Sequence, residues 1–281
     1  GIGDACYLTG AYRSTHGALH ECIAIAQREQ MPALESLSWS ISAASRVFYG
    51  DVVGAHEEVQ RAEALADQAM DAKAQVLAAS VAAKVNLYLL DLDASERAGQ
   101  RVLARSRRVG TLRLAQYALL RIAWVAERRG QPELAMRRLE EAWTLASEVG
   151  KLFLGSALLA GMAVLDRSRA AALLDEGEEL LHHEPRIDHN TLYFHVHGVR
   201  AAYQIGDEAR LRRYAQALLD DQGESRELRG FHGKCGLLLA DLLAGRSEAL
   251  AELRALHGWA LAQSLRWDAA LLDELLVERG A

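Results

Sequence analysis

The feature of this sequence that most constrains its fold is a pair of apolar helical segments that repeats about every 36 to 43 residues. In each copy an apolar run ends at a turn residue, and a small or apolar residue five positions later belongs to the next run. The turn residues are Arg13, Gly50, Asp93, Gly130, Asp166, Gly206 and Gly245, and their partners are Ala18, Ala55, Ala98, Ala135, Ala171, Leu211 and Leu250. Repeats of two helices at this spacing predict an all-α fold, a right-handed superhelical solenoid of about seven antiparallel helix pairs.

The composition favours helices and a cytoplasmic location. Hydrophobic residues make up 51% of the 281 residues, aromatic residues only 6%, and there are three prolines to interrupt a helix. The three cysteines, Cys6, Cys22 and Cys235, have no CxxC spacing and are expected to be reduced thiols of a cytoplasmic protein. The net charge of −6 disfavours a nucleic-acid binder, and no apolar run is long enough to predict a membrane-spanning helix.

The fourth repeat shows the pattern most clearly. Its first helix carries one apolar face, the turn is Gly130-Gln131-Pro132, and Gly150 is expected to cap the return helix. The apolar face consists of Leu112, Ala115, Leu119, Ile122 and Ala126. Because no low-complexity linker interrupts the repeats, we expect a single helical repeat domain over residues 1–281. The chain begins Gly1-Ile2-Gly3 without methionine, which indicates a fragment of a larger protein.

Residues of the second and fourth repeats match the bulky, small, turn and small positions of a tetratricopeptide repeat. They are Trp39, Ala43, Gly50, Ala55 and Ala62, and Leu119, Ala123, Gly130, Ala135 and Ala142. The chain therefore resembles a tetratricopeptide array whose repeats are longer than usual. It is similar to such regions in bacterial ATPase-linked signalling proteins, namely class III adenylate/guanylate cyclases and regulators of the maltose-activator and LuxR types. The segment from Tyr203 to Leu265 is similar to the last repeats of the cyclase-linked kind.

The resemblance implies a regulatory interaction domain in bacterial signal transduction. Its partner would be a protein or peptide, or an adjacent ATPase, cyclase or transcription module. The repeat register places six candidate binding residues toward a groove lined by the first helix of each pair. They are Phe48, Tyr117, Trp124, Arg128, Tyr193 and Tyr203. Aromatic and arginine side chains often anchor protein interfaces, although each of these residues is equally compatible with packing between repeats.

Two other functions remain open. The groove of a maltose-activator-type regulator would close over a small inducer molecule, and a partly enclosed polar pocket would favour that role. Alternatively, the chain would be a scaffold that self-associates into a homo-oligomer through exposed leucines. We expect no nucleic-acid or membrane partner for this segment.

Catalytic motifs are not recognisable in the sequence. The segment Gly230-Phe231-His232-Gly233-Lys234-Cys235 has a Gly-Lys pair but lacks the spacing and the hydroxyl residue of a phosphate loop. Neither His20-Glu21 nor His56-Glu57 continues into HExxH, and no GxSxG elbow occurs. We therefore expect no enzymatic activity and no cofactor.

Histidines and arginines offer two further candidate sites. His16 and His20 stand four residues apart, as metal ligands on one helix face do, but no acidic or cysteine ligand set is evident nearby, so we expect no metal site. A second group contains His182, His183, His189, His195 and His197. An arginine-rich belt is compatible with an anion-binding surface, but a solvated face balanced by glutamates is favoured. It comprises Arg97, Arg101, Arg105, Arg107, Arg108, Arg113, Arg121, Arg128, Arg129, Arg137 and Arg138.

Overall fold

The computed structural model describes residues 6–183, 187–221, 224 and 226–277, and every regular element within these ranges is a helix. A short helical turn at residues 6–8 precedes the longer helices. These are α1 (Tyr12–Arg28), α2 (Pro32–Phe48), α3 (Val52–Ala69), α4 (Ala72–Tyr88), α5 (Leu92–Val109), α6 (Leu112–Arg128), α7 (Pro132–Val149), α8 (Gly155–Leu165), α9 (Ala170–Leu181), α10 (Asp188–Ile205), α11 (Glu208–Asp220), α12 (Arg226–Leu243), α13 (Ala249–Ala262) and α14 (Arg266–Val277). Over the same residues, none of the helices is long and apolar enough to cross a membrane.

Turns in the first half of the chain recur with a strict spacing of twenty residues. The residues with positive φ there are Gly10, Gln30, Gly50, Met70, Leu90, Gly110, Gly130 and Gly150. Each follows the end of a helix, where a left-handed residue lets the chain leave the helix and reverse. Two helices with their turns therefore occupy forty residues, within the predicted interval. The all-α fold class is thus confirmed.

Two of the seven predicted turn residues are wrong. Arg13 lies inside α1 and Asp93 inside α5, and the turns fall three residues earlier, at Gly10 and Leu90. At the second of these a leucine adopts a φ of 62°, so the glycine that usually marks such a turn is missing. The side chain of Asp91 then accepts a hydrogen bond from the Ala94 N–H and caps α5. The five other turn residues are confirmed.

The chain forms two compact units, Gly1–Gly150 and Lys151–Ala281, which we call unit 1 and unit 2. In unit 1 each helix packs against the next, and the alternate helices α2, α4 and α6 also contact one another in sequence. Small residues allow the close approach that the sequence predicts, since Ala43, Ala123 and Ala135 are all fully buried. The single domain over residues 1–281, part of which lies outside the described residues, stays a prediction.

In unit 2, α10 packs mainly against α8 and α11, and it contacts α9 and α12 less extensively. The predicted turn at Gly206-Asp207 separates α10 from α11, and the short α8 ends at Asp166 without a glycine, as expected. Gly198 on α10 lies against the ring of Tyr214 on α11, where an added Cβ would come within 2.8 Å of ring carbons. Close helix contacts through glycine are therefore a feature of this unit.

Two glycines of α12 provide a matched test of that packing. A Cβ at Gly233 would lie 2.6 Å from Leu219 Cγ and 2.9 Å from the backbone oxygen of Ala215, whereas a Cβ at Gly230 would meet nothing within 4 Å. We expect Gly233→Ala to lower the free energy of unfolding by about 1–3 kcal/mol because α11 and α12 must separate. Gly230→Ala is expected to raise it by up to about 1 kcal/mol, since alanine is the better helix former. Urea unfolding followed by circular dichroism measures both, and equal changes in the two variants would contradict close contact at Gly233.

Candidate binding pocket of unit 1

A cavity of about 80 Å³, partly open to solvent, lies among α2, α4 and α6. These three alternate helices also contact one another in sequence. Its wall is largely aliphatic, and its polar groups come chiefly from α4 and α6. The lining residues are Tyr7, Ile41, Ala44, Leu77, Ser80, Val81, Lys84, Leu114, Tyr117 and Arg121.

Helix α4 brings a lysine into this apolar setting. Most of the helix is buried, with alanine and valine on nearly all sides, because it packs against α2, α3, α5 and α6. Lys84 is the one charged residue in its second half, and only 4% of its surface is exposed. Small neighbours such as Ala82 and Ala83 let the adjacent helices close over the aliphatic stem of Lys84.

The ammonium group of Lys84 has two direct contacts. Its Nζ donates a hydrogen bond of 2.9 Å to the backbone oxygen of Ala44 and lies 3.2 Å from the centre of the Phe48 ring. Among the residues that the structure describes, none of the carboxylates forms an ion pair with it. Burial and the positive charge of Arg121 place the pKa of Lys84 well below its ordinary value.

Arg121 places a second cation in the pocket wall. It is 2% exposed, and its guanidinium carbon lies 4.4 Å from the centre of the Trp124 ring and 5.9 Å from that of Tyr117. Stacking on aromatic faces suits a guanidinium, which is weakly hydrated and planar. Arg121 and Lys84 therefore give an apolar cavity two positive groups, and the described residues that line it include no carboxylate.

The structure distributes the six predicted groove residues between the two units. Phe48, Trp124, Tyr193 and Tyr203 are each no more than 2% exposed, whereas Tyr117 and Arg128 are partly exposed. Phe48 and Trp124 contact the two cations, and Tyr117 lines the cavity itself. Tyr193 and Tyr203 lie on α10 of unit 2. Only Tyr117 of the six is among the described residues that line the pocket, and a groove role for all six residues stays a prediction.

Sequence reasoning missed Lys84 and saw Arg121 only as a member of the arginine-rich belt. The available signal for Lys84 was a single lysine within the otherwise apolar run from Val76 to Val85. A lysine at such a position must either be buried or disrupt the helix packing. For Arg121, the flanking Leu120 and Ile122 indicate that this turn of α6 faces the interior, where both are buried.

Three other arginines of the belt form ion pairs at the surface. Arg129 pairs with Asp93 and Glu96, Arg101 with Glu63, and Arg138 with Glu141. All residues of the belt belong to unit 1. These contacts agree with the solvated face that the sequence favours, and each such pair contributes little to stability.

The histidines separate into two groups. The rings of His16 and His20 lie 4.2 Å apart on α1, and the structure adds Glu58 of α3, so the expectation that no acidic ligand lies nearby is wrong. Burial, with smaller contributions from His20 and Arg46, lowers the pKa of His16 to about 4. On α10, burial lowers the pKa of His195 to about 4.

Comparison with known proteins does not assign the chain to a family. No protein-family model matches the chain, and no curated protein matches it in sequence. The tetratricopeptide resemblance therefore stays a prediction, and the chemistry of the pocket is the basis for a functional proposal.

Proposed function

We propose that this chain is a non-catalytic binding and regulatory domain that recognises a carboxylate in the pocket of unit 1. The observation that supports this most directly is the buried ammonium of Lys84, which no described carboxylate neutralises. The proposed ligand supplies the missing negative charge.

The electrostatics of the cavity favour an anion over a neutral or cationic ligand. Moving a charged amine out of water is costly unless an opposite charge or hydrogen bonds replace the water. Lys84 has one hydrogen bond and one aromatic ring, and Arg121 adds further positive potential beside it. A carboxylate entering the cavity accepts a hydrogen bond from Lys84 and gains more from the charge there than it would in water.

The size and walls of the cavity define the rest of the ligand. A cavity of about 80 Å³ has room for more than one water, which suits a carboxylate attached to a short carbon chain. Ile41, Leu77, Val81 and Leu114 provide the apolar contact for that chain. This chemistry occurs both in a free short-chain carboxylic acid and at the carboxyl end of a partner peptide.

Regulation follows from the position of the pocket between three helices. Since α2, α4 and α6 all line it, a bound ligand stabilises the arrangement in which these helices are correctly spaced. A ligand shifts a conformational equilibrium only by its difference in affinity for the two arrangements. In a cytoplasmic signalling protein of the kind that the repeats resemble, this shift would reach an adjacent ATPase, cyclase or transcription module.

Butyrate tests the proposal, with butan-1-ol as its neutral counterpart of equal chain length. We expect butyrate to raise the melting temperature of the chain by a few degrees at a concentration ten times its Kd. Binding at that concentration stabilises the folded state by about 1.4 kcal/mol. Butan-1-ol is expected to have no comparable effect, because it lacks the charge that Lys84 attracts. Differential scanning fluorimetry measures the shift.

Lys84→Met and Lys73→Met form the matched pair of variants. Both lysines lie on α4, but Lys73 is exposed and outside the cavity. We expect Lys84→Met to weaken butyrate binding by about 10- to 100-fold and Lys73→Met to leave it unchanged. Equal shifts in wild type and Lys84→Met, or no shift with butyrate, would overturn the assignment.

A dipeptide separates the two sources of carboxylate. Acetyl-Ala-Leu with a free carboxyl end is compared with the same dipeptide amidated. If the free acid binds more tightly than butyrate and the amide does not bind, the ligand is the carboxyl end of a peptide. If butyrate binds and the dipeptide acid does not, the ligand is a small free acid.

A further inference from the structure

Side chains of α1 and α3 come together at a second site in unit 1. His16 and His20 of α1 and Glu58 of α3 each offer one ligand atom, and these three atoms lie within 4.8 Å of one another. Histidines at i and i+4 face the same side of a helix, which is the spacing by which a helix supplies two ligands to one metal ion. Glu58 comes from a different helix, so the cluster results from the fold.

The orientation of His16 suits a metal ligand. Its Nδ1 is 2.8 Å from the hydroxyl oxygen of the buried Ser42, and the hydrogen bond fixes the rotation of the ring. Metal-binding histidines commonly use one ring nitrogen for such a bond and the other for the ion. In His16 this leaves Nε2, which lies 3.5 Å from Arg46 Nη2 and would exchange that contact for the ion.

Glu58 supplies the observation that points most clearly to a cation. Its side chain is 7% exposed, and Oε1 accepts a hydrogen bond of 2.6 Å from Arg46 Nε and lies 3.9 Å from His20 Nε2. Its second oxygen, Oε2, is buried and has no hydrogen-bond partner among the described residues. A buried carboxylate oxygen is costly to leave without a partner, and a metal ion would satisfy it.

The charges around the cluster also favour a cation. Arg46 forms ion pairs with both Glu58 and Asp51. With neutral histidines, the two carboxylates and the single guanidinium leave a net negative charge. A divalent ion compensates that charge, and Arg46 holds Glu58 in place as an outer partner of the ligand.

From this geometry we propose that His16, His20 and Glu58 bind one divalent transition-metal ion of the Zn²⁺ type. Two histidine nitrogens and one carboxylate oxygen are a ligand set that Zn²⁺ accepts, with water in the fourth position. Ligand atoms around tetrahedral Zn²⁺ lie about 3.4 Å apart, so a closure of up to about 1.4 Å completes the site. His20, whose side chain is 44% exposed, has the freedom to make this movement. The ion would join α1 to α3.

Zn²⁺ titration of untagged protein that has been stripped with EDTA tests the site. We expect isothermal titration calorimetry to give about one Zn²⁺ per chain at micromolar or lower Kd. His20→Ala is expected to weaken binding by more than about 100-fold, because a direct ligand is lost. His56→Ala is the control, since His56 lies on α3 outside the cluster and bonds to Gln60. Its Kd should equal that of wild type.

A Co²⁺ spectrum and a second variant make the outcome decisive. In a four-coordinate site, bound Co²⁺ gives intense visible bands, and we expect Glu58→Gln to abolish them while circular dichroism shows an intact fold. Glutamine retains an oxygen that accepts from Arg46, so folding is expected to survive. The proposal is wrong if wild type shows no stoichiometric Zn²⁺ at micromolar concentration. Equal Zn²⁺ affinity in wild type and His20→Ala would also reject it.

Discussion

Replacing Lys84 by methionine is expected to raise the free energy of unfolding by about 1–4 kcal/mol at neutral pH. Methionine has nearly the same length, is flexible and is free of the charge that burial penalises. The lost hydrogen bond to Ala44 costs little, because that backbone oxygen also lies within α2, where the helix supplies a donor. A variant that loses its ligand would therefore be more stable than the wild type.

The stability gained by Lys84→Met is expected to decrease as pH rises. Since burial lowers the pKa of Lys84 in the folded chain, the unfolded chain binds a proton that the folded chain does not. This holds between the lowered pKa and the ordinary value of 10.5. In that window Lys84 makes the wild type more stable as pH rises. The advantage of Lys84→Met should therefore shrink as pH approaches 10.5 and be largest below the lowered pKa.

Urea unfolding at several pH values, followed by circular dichroism, measures this difference. Lys73→Met is again the matched control, because Lys73 is solvated in both states and its replacement should change stability by less than about 0.5 kcal/mol at any pH. A loss of stability in Lys84→Met would show that the ammonium supports the fold. The pocket would then need no anion to balance it.

A residue that lowers stability in an otherwise well-packed helix is more typical of a binding site than of a structural core. The surrounding positions of α4 are alanine and valine, and Val81 and Val85 are both buried. An apolar residue at position 84 would continue that packing without a charge. The proposed carboxylate therefore accounts both for the lysine and for the cavity beside it.

The sequence allowed the helical class and most of the turns to be predicted, because glycine marks positions that need positive φ. Gly50, Gly130, Gly206 and Gly245 all adopt it. At Leu90 no glycine marks the turn, and the prediction placed it at Asp93 instead. Periodicity therefore gave the number of residues per repeat more reliably than the position of each turn.

The sites were less predictable because they depend on contacts between repeats. Phe48 lies on α2, and Tyr117 and Trp124 lie on α6, but their burial depends on how α2, α4 and α6 pack. Glu58 joins His16 and His20 only because α3 packs beside α2 and brings its carboxylate back to α1. A single sequence, without related sequences for comparison, does not show which residues of different repeats come into contact.

The second large effect is expected in unit 2, where Arg229 of α12 is buried with carboxylates around it. Arg229 is 1% exposed, and its guanidinium pairs at 2.5 Å with Asp188 and at 3.0 Å with Asp221. Asp188 begins α10, so the pair joins two helices that also pack against each other. The side chain of Asp188 is 14% exposed and that of Asp221 is 30% exposed, so water reaches the carboxylates more than the guanidinium.

Asp188→Asn is expected to lower the free energy of unfolding by about 2–4 kcal/mol. Removing Asp188 weakens the compensation of the buried guanidinium, and Asp221 recovers only part of the loss. Asp175→Asn is the control, because Asp175 pairs with Arg210 but its side chain is 65% exposed. Its replacement should cost no more than about 1 kcal/mol. Urea unfolding of both variants gives the comparison.

The double variant Asp188→Asn with Arg229→Met distinguishes a charge effect from a packing effect. If the uncompensated guanidinium is what destabilises Asp188→Asn, removing it restores part of the stability. The double variant should then be more stable than Asp188→Asn alone, since Asp221 is exposed enough to be solvated. If the effects of the two substitutions on the free energy of unfolding simply add, each side chain contributes through its own contacts. The buried charge of Arg229 is then not the reason why Asp188→Asn is less stable. A higher stability of the double variant would show that removing one partner of this ion pair lowers the free energy of unfolding more than replacing both partners does.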